Sequence, residues 1–510
     1  MDPVTSRSLA SLALAALAAT CSRSEAPQGL GKRLVEGPVA AVRPSADGTW
    51  LAWLDGCAPV QGVAVPPGVA ACDLRAMPAD GGEAVRVARG VSTLPGGFAW
   101  SAEGHVLAAL EGHDLSSGAG TLVAWTPGGA PRRLGEGISF WAFARRGRLL
   151  GYVWRGRVQL WRPGTEPEAL DGLDAVATFE LHPRGEEGRP LLLARRALAA
   201  GGELLAVTPG QKPVRAGGPV GDYAFAPGGE RFAFTERSGE GRDLHLASSA
   251  APGQKGATLG EDVASFSFSR DGGAIAFLAG VVPGRQGDLW AARAGEKPAR
   301  LAAAVGEYRW ARGMQRLAWL EGYDPRVRSG ALAVGAPGQK GEPLGKNVSA
   351  FELSPDGQAV AFLEHTVQGG YSVDLKVARG GQVTAVARGV FGFELSPAGD
   401  ELWLRTACTR NAEACDLLVA SLAEPARTRR VAEGLKSFEW DPRRPARLLL
   451  GWSREDRVAL DLAVWEAGAL TAVDRSALPG SASFLPGPGR LAYAVNDPKR
   501  PGLYLAELPR

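Results

Sequence analysis

Phe266-Ser267-Phe268-Ser269-Arg270-Asp271-Gly272-Gly273-Ala274-Ile275-Ala276-Phe277 and Phe351-Glu352-Leu353-Ser354-Pro355-Asp356-Gly357-Gln358-Ala359-Val360-Ala361-Phe362 are two copies of one pattern. Each has an apolar pair one residue apart, a turn rich in Ser, Pro, Asp and Gly, and a run of alternating apolar residues. Alternation with a period of two on both sides of a turn is the signature of paired strands. Outward from these copies the pattern recurs along the chain. With its second apolar residue as anchor it stands at Val42, Trp100, Phe143, Leu181, Phe225, Phe268, Trp310, Leu353, Leu395, Trp440 and Phe484. Most anchors are 42 to 45 residues apart; the exceptions are 38 residues before Leu181 and 58 after Val42.

Each period holds four short alternating segments. In the unit beginning at Ser265 these are A (265–269), B (274–279), C (288–292) and D (300–304), so four strands are expected per repeat. The C-to-D turn repeats almost word for word, as Thr208-Pro209-Gly210-Gln211-Lys212, Ala251-Pro252-Gly253-Gln254-Lys255 and Ala336-Pro337-Gly338-Gln339-Lys340, a trace of tandem duplication. Four antiparallel strands per 40 to 50 residues is the period of a β-propeller blade, whose small sheet is covered only when neighbouring blades pack on it. The fold expected is all-β, a propeller of about eleven four-stranded blades. The last unit supplies A (481–485), B (490–495) and C (502–508) but no D. Lys32-Arg33-Leu34-Val35-Glu36 reads as the missing strand, so the N- and C-terminal strands are expected to share a blade and close the ring. Eleven blades exceed the four to eight usual in one ring. The expected division is therefore two propellers, 31–262 and 263–510; an interwoven pair or one large ring is the alternative.

Composition agrees. The 510 residues are 45% hydrophobic and 22% charged, with a formal net charge of +3, which excludes a disordered chain and a nucleic-acid binder carried by bulk positive charge. Gly 69 and Pro 36 punctuate the chain too often for long helices.

Residues Leu9 to Thr20 form an apolar run after Arg7, too short to span a bilayer but suited to a signal peptide over 1–20. It resembles a bacterial lipoprotein signal, which implies Cys21 as a lipidated mature N-terminus followed by a short linker, 21–30. Thr20 departs from the small residue usual there, and an ordinary signal cleaved near Ala16-Leu17-Ala18 is the alternative. The other four cysteines form two local pairs, Cys57 with Cys72 and Cys408 with Cys415, each bracketing a loop between neighbouring strands. Disulfides in an oxidising compartment are expected, worth about 2–3 kcal/mol each. No Cys-x-x-Cys knuckle supports a zinc site.

The core Ser354-Pro355-Asp356-Gly357 with Val360-Ala361-Phe362 resembles the repeat of the TolB-type, WD-repeat-like propeller family. Ser269-Arg270-Asp271-Gly272, Ser396-Pro397-Ala398-Gly399 and Ser45-Ala46-Asp47-Gly48 are looser copies. The resemblance implies a propeller and an envelope protein that binds protein partners, without the separate α/β domain of TolB. It specifies fold before function.

Chemistry is sparse in the sequence. The five histidines show no metal spacing, and neither a phosphate-binding loop nor a Gly-x-Ser-x-Gly nucleophile occurs. No cofactor and no metal are expected. Aspartates recur at the start of strand C (Asp73, Asp243, Asp288, Asp374, Asp416, Asp461), where a carboxylate accepting turn amides is the expected role. The residue between the two anchors of strand A is Glu180, Arg309, Glu352, Glu394 and Glu439 in five units. The last four fall in consecutive units and form a candidate channel or ligand site for a cation or a basic peptide; pairing with Arg or with backbone amides between blades is the structural alternative. The function expected is a non-catalytic, exported lipoprotein of the outer membrane, facing periplasm or cell surface. It is expected to bind envelope proteins, to meet the membrane through its lipid anchor only, and to bind no nucleic acid. The alternative is a hydrolase or lyase acting on a polysaccharide or small ligand in the channel.

Overall fold

The computed structural model describes residues 29–509 apart from 61–68, 190, 198–201, 283–285, 314, 367–371, 410–413, 454–458 and 488. The described residues are all-β, with one turn of 3₁₀ helix at Gly185–Glu187. The strands form four-stranded antiparallel meanders in a propeller-like arrangement. Seven are separate sheets. One seven-stranded sheet holds two quartets that share the strand Glu342–Leu353, and one eight-stranded sheet holds two more joined at Ala477 and Val495. Numbered along the chain, the quartets are unit 1 (39–92), 2 (98–138), 3 (141–169), 4 (176–217), 5 (220–260), 6 (263–305), 7 (307–348), 8 (348–387), 9 (390–435), 10 (437–477) and 11 (483–507). Unit 11 takes Lys32–Glu36 as its fourth strand, antiparallel to Gly502–Glu507 with Lys32 opposite Leu505 and Glu36 opposite Gly502.

Unit 6 shows the construction. Its strands are Val263–Phe268, Ala274–Val282, Gln286–Arg293 and Ala299–Val305, with Phe268 opposite Ile275 and Phe277 opposite Trp290. The Ser-x-Asp-Gly turn is a small hydrogen-bonded cage. Ser269 Oγ donates to Asp271 Oδ1 at 2.6 Å and accepts the Ala274 N–H at 2.9 Å, while Gly272 takes the left-handed conformation at φ 70°. The same bonds tie Ser354, Asp356 and Ala359. The Ser269 hydroxyl, joined by the Gly273 amide, holds the Asp271 carboxyl below its usual range. In unit 1, Pro44 faces Leu51 as Phe268 faces Ile275, so the anchor of that copy is Pro44 and not Val42.

No unit can bury both sheet faces alone, and the core is a succession of apolar layers between neighbours. Leu193, Leu204, Phe232 and Phe234 fill the layer between units 4 and 5. Ala233, Leu244, Val263, Ile275 and Phe277 fill the next, between units 5 and 6, so packing runs without a gap across residue 262. A further layer joins unit 11 to unit 1, where Leu485, Ala492 and Leu503 meet Val39, Leu51 and Trp53. Close approach is built into strand D. A Cβ on Gly260 would collide with the Phe277 ring of the following unit, and Gly217 and Gly345 stand the same way to Phe234 and Phe362. Gly260→Ala is therefore expected to cost about 1–3 kcal/mol by overpacking a fully buried ring, read as a lowered denaturation midpoint.

The crossover from strand D to the next strand A needs a left-handed residue. Glycine serves at Gly90 and Gly389, but Ala304 occupies that conformation at φ 48°. A Cβ is unfavourable there, so Ala304→Gly is expected to raise stability by about 0.5–1 kcal/mol in denaturant titration.

Candidate functional site

The A strands of neighbouring units lie edge to edge at the inner side of the arrangement, each with one row of backbone groups that its own sheet leaves unpaired. In units 1, 4, 8 and 11 the residue between the two anchors bonds a backbone group of the following unit. Glu180 accepts the Phe225 N–H at 3.1 Å, and Glu352 accepts the Leu395 N–H at 3.0 Å. With Pro44 as anchor, unit 1 presents Arg43, which donates to the Phe98 carbonyl at 2.9 Å with its guanidinium 4.6 Å from the Phe98 ring centroid. Ser267 receives the Trp310 indole N–H at 3.1 Å, and Ser483 of unit 11 donates to the Val42 carbonyl of unit 1 at 3.4 Å. Every one of these contacts runs from a unit to its successor.

Of the four consecutive candidates, Arg309 turns to its own strand, bonding Glu307 at 2.8 and 2.7 Å, and lies 5.5 Å from the Phe351 ring centroid. Burial raises the Glu352 carboxyl above the usual carboxylate range, against the Leu395 amide and the charges of Arg312 and Arg309. Burial also raises Glu394; the Trp440 indole opposes it, though not in hydrogen-bond geometry, and the Glu352 charge reinforces it. Glu439 is raised by burial. Glu394 and Glu439 are solvent-exposed yet closely surrounded. The structure thus makes Glu352 and Glu394 electrostatic neighbours, leaves Arg309 with Glu307, and gives Glu352 the amide-binding role. Among the described residues no three His, Cys, Asp or Glu side chains converge closely enough to hold a metal ion.

A carboxyl whose folded value is raised contributes stability that is complete below its unfolded value and is lost as the pH rises through the folded one. The double variant Glu394→Gln, Glu439→Gln is therefore expected to melt higher than the parent at pH 7.5, by about 1 °C, with the gain vanishing at pH 4. Thermal scans at the two pH values check it.

A second set of carboxylates escaped the sequence reading. Glu111, Glu236 and Glu364, at the far end of strand B, accept the crossover amides of Arg89 (3.3 Å), Gly218 (2.6 Å) and Lys346 (2.9 Å) from the preceding unit. They also hold Arg133 at 2.6 Å, His245 at 3.5 Å and Lys376. Their signal was the recurrence of Leu110-Glu111, Thr235-Glu236 and Leu363-Glu364. A surface groove of about 580 Å³ beside Glu111, lined by Arg89, Arg133, Asp114 and Glu136 among others, mixes both charges. Three of the six strand-C aspartates meet arginines of strand D: Asp73 with Arg86 (3.4 Å), Asp288 with Arg300 (2.8 Å) and Asp416 with Arg430 (3.7 Å); Asp416 also accepts an amide, that of Gly434, at 3.3 Å. His182 and His245 are buried; His182 accepts the Arg184 N–H and bonds the Gly229 carbonyl at 3.0 Å.

Both cysteine pairs are bonded. Cys57–Cys72 and Cys408–Cys415 bridge the two sides of their B-to-C connections, with Cα atoms 4.1 and 4.0 Å apart. Cys21 and the expected signal peptide lie outside the described residues. Among the described residues no helix is long and apolar enough to cross a membrane.

No protein-family model and no curated protein matches the chain. Among solved structures it is similar to a eukaryotic initiation factor, at 13% identity and a TM-score of 0.40, over 70% of this chain and 95% of that one. It is also similar to the tricorn protease, at 13% identity and 0.30, over 90% of this chain and 51% of that one. A third likeness is to a prolyl endopeptidase, at 18% identity and 0.31, over 55% of this chain and 45% of that one. At these identities and scores the fold rests on the strand pairing itself.

Proposed function

We propose that the chain is an exported, non-catalytic propeller of TolB type, anchored through lipidated Cys21, that serves as a protein-binding platform in the cell envelope. The observation that carries this reading is the use made of the inner carboxylates: Glu180 and Glu352 are spent on backbone amides of the next unit and so act as staples. Two disulfides suit an oxidising compartment. For the architecture we infer one ring of eleven units in place of two propellers. Continuous packing across residue 262 and the layer between units 11 and 1 support it. Negative-stain images of the mature chain distinguish one wide ring from two small ones. A pull-down from envelope extracts tests the platform; recovery of no specific partner counts against it.

A channel hydrolase is the second reading, favoured by two inner carboxyls raised by burial, Glu352 and Glu394, with the charge of Glu352 reinforcing the rise at Glu394. Glycan hydrolysis abolished by Glu394→Gln supports it and overturns the first.

A further inference from the structure

The chain has only nine lysines against 48 arginines, and four of the nine occupy one position in four consecutive units. Lys212, Lys255, Lys297 and Lys340 close the C-to-D turns of units 4, 5, 6 and 7, spaced 43, 42 and 43 residues apart. The turns share a main-chain bond, Gln211 to Thr208, Gln254 to Ala251, Glu296 to Arg293 and Gln339 to Ala336. That bond needs the Pro-Gly or Ala-Gly pair inside the turn, not the lysine after it. Unit 2 makes a similar turn with Ala130 in the lysine's place, and unit 3 with Glu166. All four lysines are exposed, and none makes an ion pair or side-chain hydrogen bond among the described residues.

In a four-stranded meander the C-to-D turn lies at the same end as the A-to-B turn. Units 4 to 7 pack side by side in one orientation, so the four ammonium groups stand on a single face. Exposed Arg270, Arg293 and Arg312 add to that face without carboxylate partners, against Glu187, Asp271 and Glu296. Sheets stacked about 10 Å apart spread the four charges over roughly 30 Å or more. Each neighbour then sits at about a screening length, so the lysines barely repel one another. A compact anion would meet one lysine at a time. A polymer would want a groove with aromatic side chains to track, and these turns are convex and built of Pro, Gly and Gln. A flat anionic surface meets all four at once, and the lysine ammonium, a hydrated point charge on a flexible stem, suits such contact.

We infer that the face carrying Lys212, Lys255, Lys297 and Lys340 docks on an anionic lipid surface. This deepens the envelope reading, on which it rests: the lipid at Cys21 would tether the chain and the lysine row would set which face meets the bilayer, leaving the opposite face for protein partners.

The test uses the full chain with Cys21→Ser, so that no acyl group contributes, and vesicles of phosphatidylcholine with or without about 30% phosphatidylglycerol. Binding to the anionic vesicles, absent on the neutral ones and lost at high salt, is expected. The quadruple variant Lys212→Gln, Lys255→Gln, Lys297→Gln, Lys340→Gln should weaken partitioning by about fivefold per lysine, several hundredfold together. A charge-matched control, Lys32→Gln, Lys346→Gln, Lys436→Gln, Lys499→Gln, should retain most of it. Equal loss in both variants, equal binding to neutral vesicles, or capture by dextran sulfate with no vesicle binding overturns the inference. Vesicle binding that persists where pull-downs recover no partner removes the platform reading alone.

Discussion

A chain that lacks residues 1–37 is expected to lose about 4 kcal/mol or more and to self-associate as its concentration rises. The reason lies in the strand Lys32–Glu36, which covers the outer edge of unit 11. Without it, Gly502–Glu507 presents a row of unpaired backbone groups, the kind of edge that recruits another chain. Leu34 and Val35 also leave the layer they share with Leu503, Leu505 and Ala492 of unit 11 and with Val39 of unit 1. Two partly buried aliphatic side chains returned to water account for about half of the figure, and the lost strand pairing with Gly502–Glu507 for the rest. Two main-chain bonds go as well, Leu30 to Val473 and Gly37 to Pro501, with a third from the Arg33 guanidinium to the Pro501 carbonyl. Chemical denaturation and size-exclusion chromatography across a concentration series check both parts. A truncated chain as stable and as monodisperse as the parent would show that unit 11 stands without its borrowed strand.

Asp474→Ala is the point substitution with the largest expected cost, about 3–5 kcal/mol. The Asp474 side chain is fully buried between units 10 and 11. It accepts two bonds from Arg500, at 2.5 and 2.9 Å, one from the Tyr493 hydroxyl at 3.2 Å, and the Ser476 N–H at 2.9 Å. Truncation strands a guanidinium that the carboxylate holds charged against its burial, and a phenol that burial and the carboxylate together hold protonated. The double variant Asp474→Ala, Arg500→Met removes the orphaned charge and should recover at least half of the loss. If the single and double variants melt together, the network is not the latch described.

The repeat made most of this fold legible. Strands read from alternation in unit 6, and Lys32–Glu36 as the borrowed strand, stand within a few residues of the observed ones because turn chemistry fixes both ends. The first copy was misaligned by two residues because Arg43 and Pro44 stand where other units carry an acidic or small residue and an apolar anchor. The Ser45-to-Gly48 turn was the better guide. Partners across units were harder to read. Glu352 and Leu395 are 43 residues apart, and nothing local says whether a carboxylate at that position meets an amide, an arginine or water. Glu180, set four units before Glu352, makes the same bond, so the repeat held the answer once one partner was known. His182 replaces the turn serine and is buried by the next unit, a fact of packing that its exposed-looking neighbours Pro183 and Arg184 conceal.

The run Glu342–Leu353 leaves unit 7 and enters unit 8 with Asn347 in the left-handed conformation at φ 52°, so the chain turns there from one unit to the next, and the two units bury an apolar layer between them as their neighbours do. Pivot and packing thus coincide at this seam: the side chains transmit load between the units, and Asn347 is the point about which the backbone would swing if that layer were lost.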